Sequence, residues 1–425
     1  MALTVARIDR HTIELPYREV PNRNMRRALP HWTYLDIFEI ELSDGTVGYG
    51  EDMLYYGWGT VATEDIERAT GQHAMKLLFD DSLGSLQIGL FDAVGKALKV
   101  PVYELIGAKH RSEVPISWWC IDMPAADWIH ECELAIDRGY TSVKLKGRPW
   151  QDIRHDVADL CAALPAWFSI GIDFNGTLLE PDRALPILEE LVENPQVSTI
   201  ETPIPHGDVD GNRRIARELD VDIAHHNGRG VSELTQVQTN IADTYVLGTG
   251  GPDRLIREAG FAEFAQLPFW IQNLGPITGV FWAHVGATMP NNTRGNIICD
   301  HLFAETPVAN PLAVRDGALV LEDNPGLGIA LDHEVIDEYL VDRPTERPEP
   351  DRLVRTTWPD REPIYAASGT QLEAMATDGT FPYFEPGVET QLVPDDGSDA
   401  WKETHRNALE EPVVGEVDGL STDEG

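Results

Sequence analysis

Short apolar runs alternate with amphipathic stretches through the middle of this 425-residue chain. From about residue 114 the runs that read as strands are Val114–Cys120, Ser142–Lys146, Ser169–Phe174, Val197–Glu201, Val221–His225, Asp243–Leu247, Pro268–Gln272 and Asn296–Cys299. Helical spacing falls between the first seven, in Ala125–Arg138, Arg183–Glu193, Gly211–Leu219 and Pro252–Ala259. The link from the seventh run to the eighth contains Thr278–Thr288, again helical. Eight strands with seven or eight helices predict a parallel barrel. Runs this uniformly apolar suit a parallel sheet covered on both sides.

The pattern before residue 110 differs. Phe38-Glu39-Ile40-Glu41-Leu42 alternates strictly, the turn Ser43-Asp44-Gly45-Thr46 comes next, and Val47-Gly48-Tyr49-Gly50 reads as a second strand. A helix is predicted around Ile88–Ala97. Strands followed by helices make an α+β unit. Past about residue 340, Pro344, Pro348, Pro350, Pro359 and Pro363 crowd together and acidic residues accumulate, so Glu410–Gly425 reads as a loosely attached acidic tail.

Charge narrows the choice of partner. The net charge of −38 excludes nucleic acid as a partner, because phosphate binding needs a basic surface, and it argues against anionic membranes. An acid excess with few lysines fits a protein adapted to molar salt, where screening removes most self-repulsion. Cys120, Cys132, Cys161 and Cys299 are scattered without CxxC spacing and read as free thiols of a reducing compartment. The start Met1-Ala2-Leu3-Thr4-Val5-Ala6-Arg7 shows no apolar leader, and no run approaches a membrane span. The expectation is a cytoplasmic protein.

Lysine is scarce, seven residues against 26 arginines, yet two lie two positions apart in Val143-Lys144-Leu145-Lys146-Gly147. On a strand, residues i and i+2 share a face, so two ammonium groups stand side by side and the pKa of one is pushed down toward that of a general base. Chemistry in barrels sits at the C-terminal strand ends. Those ends carry Lys144 and Lys146, then Asp173 and Asn175, then Glu201, then His225, His226 and Asn227. Two carboxylates on adjacent strands with another donor on the next suit a divalent cation such as Mg2+. A neighbouring lysine can then take the proton next to a carboxylate that the ion holds.

Lys-x-Lys, Asp-x-Asn and Glu-x-Pro in this order resemble the enolase superfamily, and most closely its mandelate racemase and muconate lactonizing enzyme branch. Phe91-Asp92-Ala93-Val94-Gly95-Lys96-Ala97, Pro101-Val102-Tyr103-Glu104-Leu105-Ile106-Gly107 and Pro325-Gly326-Leu327-Gly328-Ile329 resemble that branch's cap helix, barrel entry and barrel exit. The resemblance implies a modified TIM barrel, (β/α)7β, under an α+β capping domain. The division is 1–112 for the cap, 113–332 for the barrel and 333–425 for a segment returning to the cap. It implies Lys146 as the base, Lys144 as its partner and a contact for the substrate carboxylate, and Asp173 and Glu201 as metal ligands. It also implies a small-molecule carboxylate substrate and a homo-oligomer.

The third metal position departs from the family's acidic residue. Asn227 and His226 lie 26 and 25 residues after Glu201. An asparagine oxygen suits Mg2+, whereas His226 would favour Mn2+. Racemases of this branch also carry a second base across the barrel. Here the sixth strand ends Val246-Leu247-Gly248-Thr249 and the seventh Trp270-Ile271-Gln272-Asn273, so neither usual base is present. The expected reaction is one-base dehydration of a sugar acid to a 2-keto-3-deoxy acid. The alternatives are a one-base cycloisomerase, lactonizing or epimerase-like enzyme, and a descendant that binds without turnover. Substrate contacts are expected from Asn175, His225, Gln272 and Asp300. In the cap, Arg23 and Arg26 of the Asn22–Arg27 loop and Tyr56 of Tyr55-Tyr56-Gly57-Trp58-Gly59 are further candidates.

Overall fold

The computed structural model describes residues 3–56, 60–226, 232–248 and 250–420. Strands β1 (Val5–Glu14), β2 (Tyr34–Leu42) and β3 (Val47–Met53) form an antiparallel sheet in that order. The β2–β3 hairpin turns at Gly45, whose φ of +85° suits a residue without a side chain. Helix α1 (Glu19–Met25) lies in the β1–β2 link, so the arginine-rich Asn22–Arg27 stretch is largely helical where a loop was expected. Helix α2 (Thr63–Ala69) precedes α3 (Leu86–Leu98), which lies directly on β3. The approach is close because both sides are small: a Cβ on Gly48 would collide with Ala93 N and Gly89 O. Buried Asp92 ties this unit to the barrel exit, accepting from Tyr49 N (2.8 Å), Leu327 N (2.7 Å) and Lys96 Nζ (2.7 Å).

The first barrel run divides into β4 (Glu113–Pro115) and β5 (Trp118–Trp119). Next come α4 (Ala125–Asp137), β6 (Ser142–Lys146), α5 (Ile153–Ala163), β7 (Ser169–Asp173), α6 (Pro181–Val192), β8 (Val197–Glu201), α7 (Val209–Glu218) and β9 (Asp222–His226). The series ends with α8 (Glu233–Thr239), β10 (Thr244–Leu247), α9 (Pro252–Phe264), β11 (Phe269–Ile271) and α10 (Pro276–Ala287). Strands β5 to β11 make one curled parallel sheet in chain order. The run at Asn296–Cys299 is not a regular strand, yet it spans the gap between the sheet's edges: Ile297 N donates to Ile271 O (2.9 Å) and Ser117 N to Asn296 O (3.0 Å). Strand β13 (Ala318–Val320) pairs with β4 on one side and with β12 (Val314–Arg315) on the other.

After α11 (His333–Glu338) the chain passes along the first sheet: Glu14 N donates to Tyr339 O, Val341 N to Thr12 O, and Arg343 Nε to Asp36 Oδ2 at 2.8 Å. The C-terminal segment is then a folded unit; of the expected tail Glu410–Gly425, residues 410–420 belong to it and the last five lie outside the described residues. Strands β14 (Leu353–Trp358), β15 (Arg361–Ala366), β16 (Glu389–Val393) and β17 (Val413–Val414) form an antiparallel sheet ordered β16-β14-β15-β17, flanked by α12 (Gly369–Thr377) and α13 (Asp399–Glu410). Val354, Trp358, Ile364, Leu372 and Phe381 bury one face, together with Trp150 from the barrel. Leu353, Tyr365, Val393 and Trp401 bury the other. Val417 and Leu420 pack on that second cluster, which anchors the acidic end through its few apolar side chains.

Candidate active site

Parallel register builds the site. Lys146 pairs with Asp173, Asp173 with Glu201, and Glu201 with Ala224 across β6 to β9. Alternation then sends Lys144, Lys146, Asp173, Glu201 and His226 to the barrel interior. His225 belongs to the outer face, where it is fully buried with its ring 5.2 Å from that of His206. The structure therefore does not bring this predicted substrate contact to the cluster. Burial, with His206 and His226 nearby, lowers its pKa to about 3 and keeps it neutral.

Lys146 Nζ lies 2.5 Å from Asp173 Oδ2 and donates to Asn175 Oδ1 at 2.9 Å. Lys144 Nζ lies 2.5 Å from Glu201 Oε2 and 3.5 Å from Asp173 Oδ2, and donates to Gln272 Oε1 at 2.6 Å. Trp270 carries the Lys144 ammonium 5.5 Å above its ring. The electrostatics separate the two lysines. Burial opposes the Lys144 charge, but Glu201 and Asp173 outweigh it and hold that ammonium above its ordinary value. At Lys146 burial, aided by Lys144 and Arg148, prevails over Asp173 and lowers the pKa. Burial works against ionised Asp173, yet Lys146, Lys144 and Arg148 hold it well below the usual carboxylate range.

Asn175 and Gln272 thus join the lysines, and Asn175 holds a left-handed φ of +49° that turns its amide back toward Lys146. Arg148 was not foreseen, although it continues the two-residue spacing of Lys144 and Lys146. It is buried and donates to Asn175 Oδ1 at 2.8 Å. Below Lys144 a cavity of about 190 Å³ is lined by Ser117, Ser142, Gly171, Thr199, Glu201 and Trp270.

The carboxylates of Asp173 and Glu201 converge on one ammonium, and both Glu201 oxygens are buried without a hydrogen bond of good geometry. That donor set fits a hard divalent cation. His226 Nε2 stands 3.1 Å from Glu201 Oε1, while Asn227 lies outside the described residues. Among the described residues no group of three His, Cys, Asp or Glu is arranged to hold an ion.

The remaining candidates lie elsewhere. Arg23 is bound by Asp127 at the start of α4, with Nε 3.0 Å from Oδ2. Exposed Arg26 lines a separate cavity of about 680 Å³ with Glu14, Tyr34 and Glu349. Tyr56 packs edge-on against Trp32 (4.9 Å), which lies 5.8 Å from Trp119, the register neighbour of Lys144. Gly57, Trp58 and Gly59 lie outside the described residues. Asp300 sits after Cys299, itself at φ +57°, with its Oδ1 buried and lacking a hydrogen bond. Close by is Glu51 of β3, which sequence reasoning passed over. Its Oε2 accepts from Ile277 N (3.0 Å) and Thr278 N (2.9 Å) at the start of α10, and burial lifts its pKa to about 7.

A family model described as enolase C-terminal domain-like matches residues 127–335. Muconate cycloisomerase 1-1 of Acinetobacter lwoffii is 26% identical over 380 residues, which cover 80% of this chain and 97% of that protein. Arabinonate dehydratase of Saccharolobus solfataricus is 25% identical over 341 residues, 71% of this chain and 89% of its own. The crystal structure of 2-chloromuconate cycloisomerase from Rhodococcus opacus 1CP shares the fold, with a TM-score of 0.66 at 22% identity over 80% of this chain and all of that one. No helix among the described residues is long and apolar enough to cross a membrane.

Proposed function

This chain belongs to the enolase superfamily, in its mandelate racemase and muconate lactonizing enzyme branch, and we propose that it is a lyase removing water from a sugar acid to give a 2-keto-3-deoxy acid. One observation carries this reading. The paired lysines stand on β6, and the described ends of β10 and β11, Val246-Leu247-Gly248 and Ile271-Gln272-Asn273, offer no base to work from the other side. A one-base site suits elimination. The similarity to arabinonate dehydratase supports the same class.

In this mechanism Lys146, its pKa lowered, takes the proton α to the substrate carboxylate. Lys144, kept charged, binds a carboxylate oxygen. Asn175 and Arg148 hold the Lys146 amine in place, and Gln272 does the same for Lys144. As the C–H bond breaks, its electrons form the C=C bond and the β C–O bond breaks. The leaving hydroxyl takes back the proton that Lys146 removed and departs as water, and the enol tautomerises to the 2-keto acid. Asp173 and Glu201, with His226 or Asn227, would hold Mg2+, which supplies positive charge beside the carboxylate as negative charge builds there.

The similarity to muconate cycloisomerase 1-1 favours a second reading, one-base cycloisomerisation. A screen of sugar acids with Mg2+, with and without EDTA, separates the two. Dehydration gives a 2-keto acid that is lost with EDTA and lost in Lys146→Ala, with the circular dichroism of the variant unchanged. Turnover without any 2-keto acid would favour cycloisomerisation. Undiminished turnover by Lys146→Ala would remove Lys146 as the base.

A further inference from the structure

We propose that Phe384 of the C-terminal unit is a positioning residue for Lys146, acting through Phe174 on the strand end Asp173-Phe174-Asn175. The inference rests on the reading of Lys146 as the base. It concerns the segment after residue 333, whose sequence reads as a return to the cap.

Phe384 does not pack into its own unit. It is 3% exposed and belongs to the core of the barrel and cap, whereas its neighbour Phe381 belongs to the C-terminal unit's cluster. Its backbone takes φ +46°, a conformation a bulky residue rarely holds unless its surroundings enforce it. Those surroundings belong to the barrel, at the first turns of α5 and α6 and in the loop before α6. Arg154 Nη1 donates to Phe384 O at 3.2 Å, Tyr383 Oη donates to Leu178 O at 3.0 Å, and Arg183 covers the Tyr383 ring at 3.8 Å.

The ring of Phe384 meets Phe174 edge-on at 6.0 Å. Phe174 is fully buried, and from another side Gly147 closes on it so tightly that a Cβ there would lie 2.7 Å from Cε1. Phe174 is thus held between Gly147, the residue after Lys146, and Phe384. Its backbone neighbours are Asp173 and Asn175, the two acceptors of Lys146. The same unit grips the loop after β6: Thr390 Oγ1 donates to Trp150 O (3.0 Å) and Gly387 N to Asp152 Oδ2 (2.7 Å). Both loops that flank Lys146 therefore lean on the C-terminal unit. Removing the Phe384 ring opens space beside Phe174, lets the Asp173–Asn175 segment shift, and loosens Asn175 from Lys146 and Arg148.

The test uses the full-length, metal-free protein with lysine 13C-labelled at Cε. Seven lysines give few signals, and Lys146→Arg identifies the one from Lys146. Phe384→Ala should displace the Lys146 signal and leave those of Lys96 and Lys402 in place. Phe384→Leu, which keeps apolar volume, should displace it part of the way. Trp401→Ala, which weakens the unit's own core, should lower the thermal midpoint without moving the signal. On a sugar acid found by the screen, Phe384→Ala should lower kcat about tenfold to a hundredfold and change KM little, with partial recovery in Phe384→Leu. An unmoved Lys146 signal in folded Phe384→Ala overturns the proposal, as does an equal displacement by Trp401→Ala. Should the alanine variant fail to fold, an unmoved signal in Phe384→Leu overturns it. A silent screen bears on the assigned reaction and leaves the resonance test standing.

Discussion

Asp52 sits in β3 next to Glu51, and both carboxylic acids are deeply buried. Burial raises the pKa of Asp52 to about 8, with Asp36 adding to the shift, against hydrogen bonds from Val61 N (3.2 Å) and Ser85 Oγ (3.1 Å) and the charge of Arg343. A carboxyl whose folded pKa exceeds its unfolded value keeps a proton that the unfolded chain releases. Its contribution to stability is complete below about pH 4 and is lost as pH rises through about 8. Asp52→Asn imitates the protonated group, since an amide can accept from Val61 N and donate to Ser85 Oγ. The variant should gain on the parent by about 2 kcal/mol between pH 5 and pH 8. Urea midpoints across that range check it, and parallel curves for the two proteins would refute it. Buried His31 and His284, both lowered to about 4 by burial, work in the opposite direction, losing stability as pH falls below about 6.5.

At the scale of elements, legibility tracked periodicity. Ser142–Lys146 and Val197–Glu201 were readable to their last residue because each is a short segment rich in β-branched or apolar residues that closes on a charged side chain. Lys146, Asp173 and Glu201 were readable because they close their strands, and Lys144 because it lies two residues before Lys146 on the same face. His225 could have been set aside by counting, since Glu201 pairs with Ala224 and parity then sends His225 outward. Arg23 could not, because its partner Asp127 is 104 residues away. Strands β14 to β17 escaped notice because prolines and acids between 344 and 363 mask an alternation that the sheet makes plain only once paired. Close packing of elements yields its own prediction. Gly48→Ala must push α3 off β3, where backbone atoms of Gly89 and Ala93 cannot yield, at a cost of about 1–3 kcal/mol. Gly171→Ala, whose Cβ would meet nothing nearer than 3.7 Å, should change stability by less than about 1 kcal/mol. Denaturant midpoints of the pair check both, and equal losses would show that the α3–β3 approach is not the cause.

Over the whole molecule, 71 acidic residues face 33 lysines and arginines, and salt acts on that balance in two directions. It weakens attraction in exposed pairs such as Arg214–Asp182 (2.6 Å) and Arg257–Asp253 (2.6 Å). Each such pair contributes only about 0–1 kcal/mol at low salt. It also weakens repulsion among the carboxylates left without a cationic partner, and these outnumber the pairs because the excess is 38 charges. Repulsion acts over the Debye length, about 8 Å at 0.15 M salt and about 3 Å at 1 M, so most of it disappears across that interval. The buried groups of the site are screened much less, and the Lys144–Glu201 and Lys146–Asp173 contacts should persist in concentrated salt. The thermal midpoint should therefore climb between about 0.1 M and 1 M KCl and flatten beyond it, where further rise needs surface exclusion instead of screening. Calorimetric scans in KCl, repeated with sucrose of equal osmolality, distinguish the two. A midpoint that stays level in KCl, or that follows sucrose as closely as salt, would mean that self-repulsion of the acidic surface does not limit this fold.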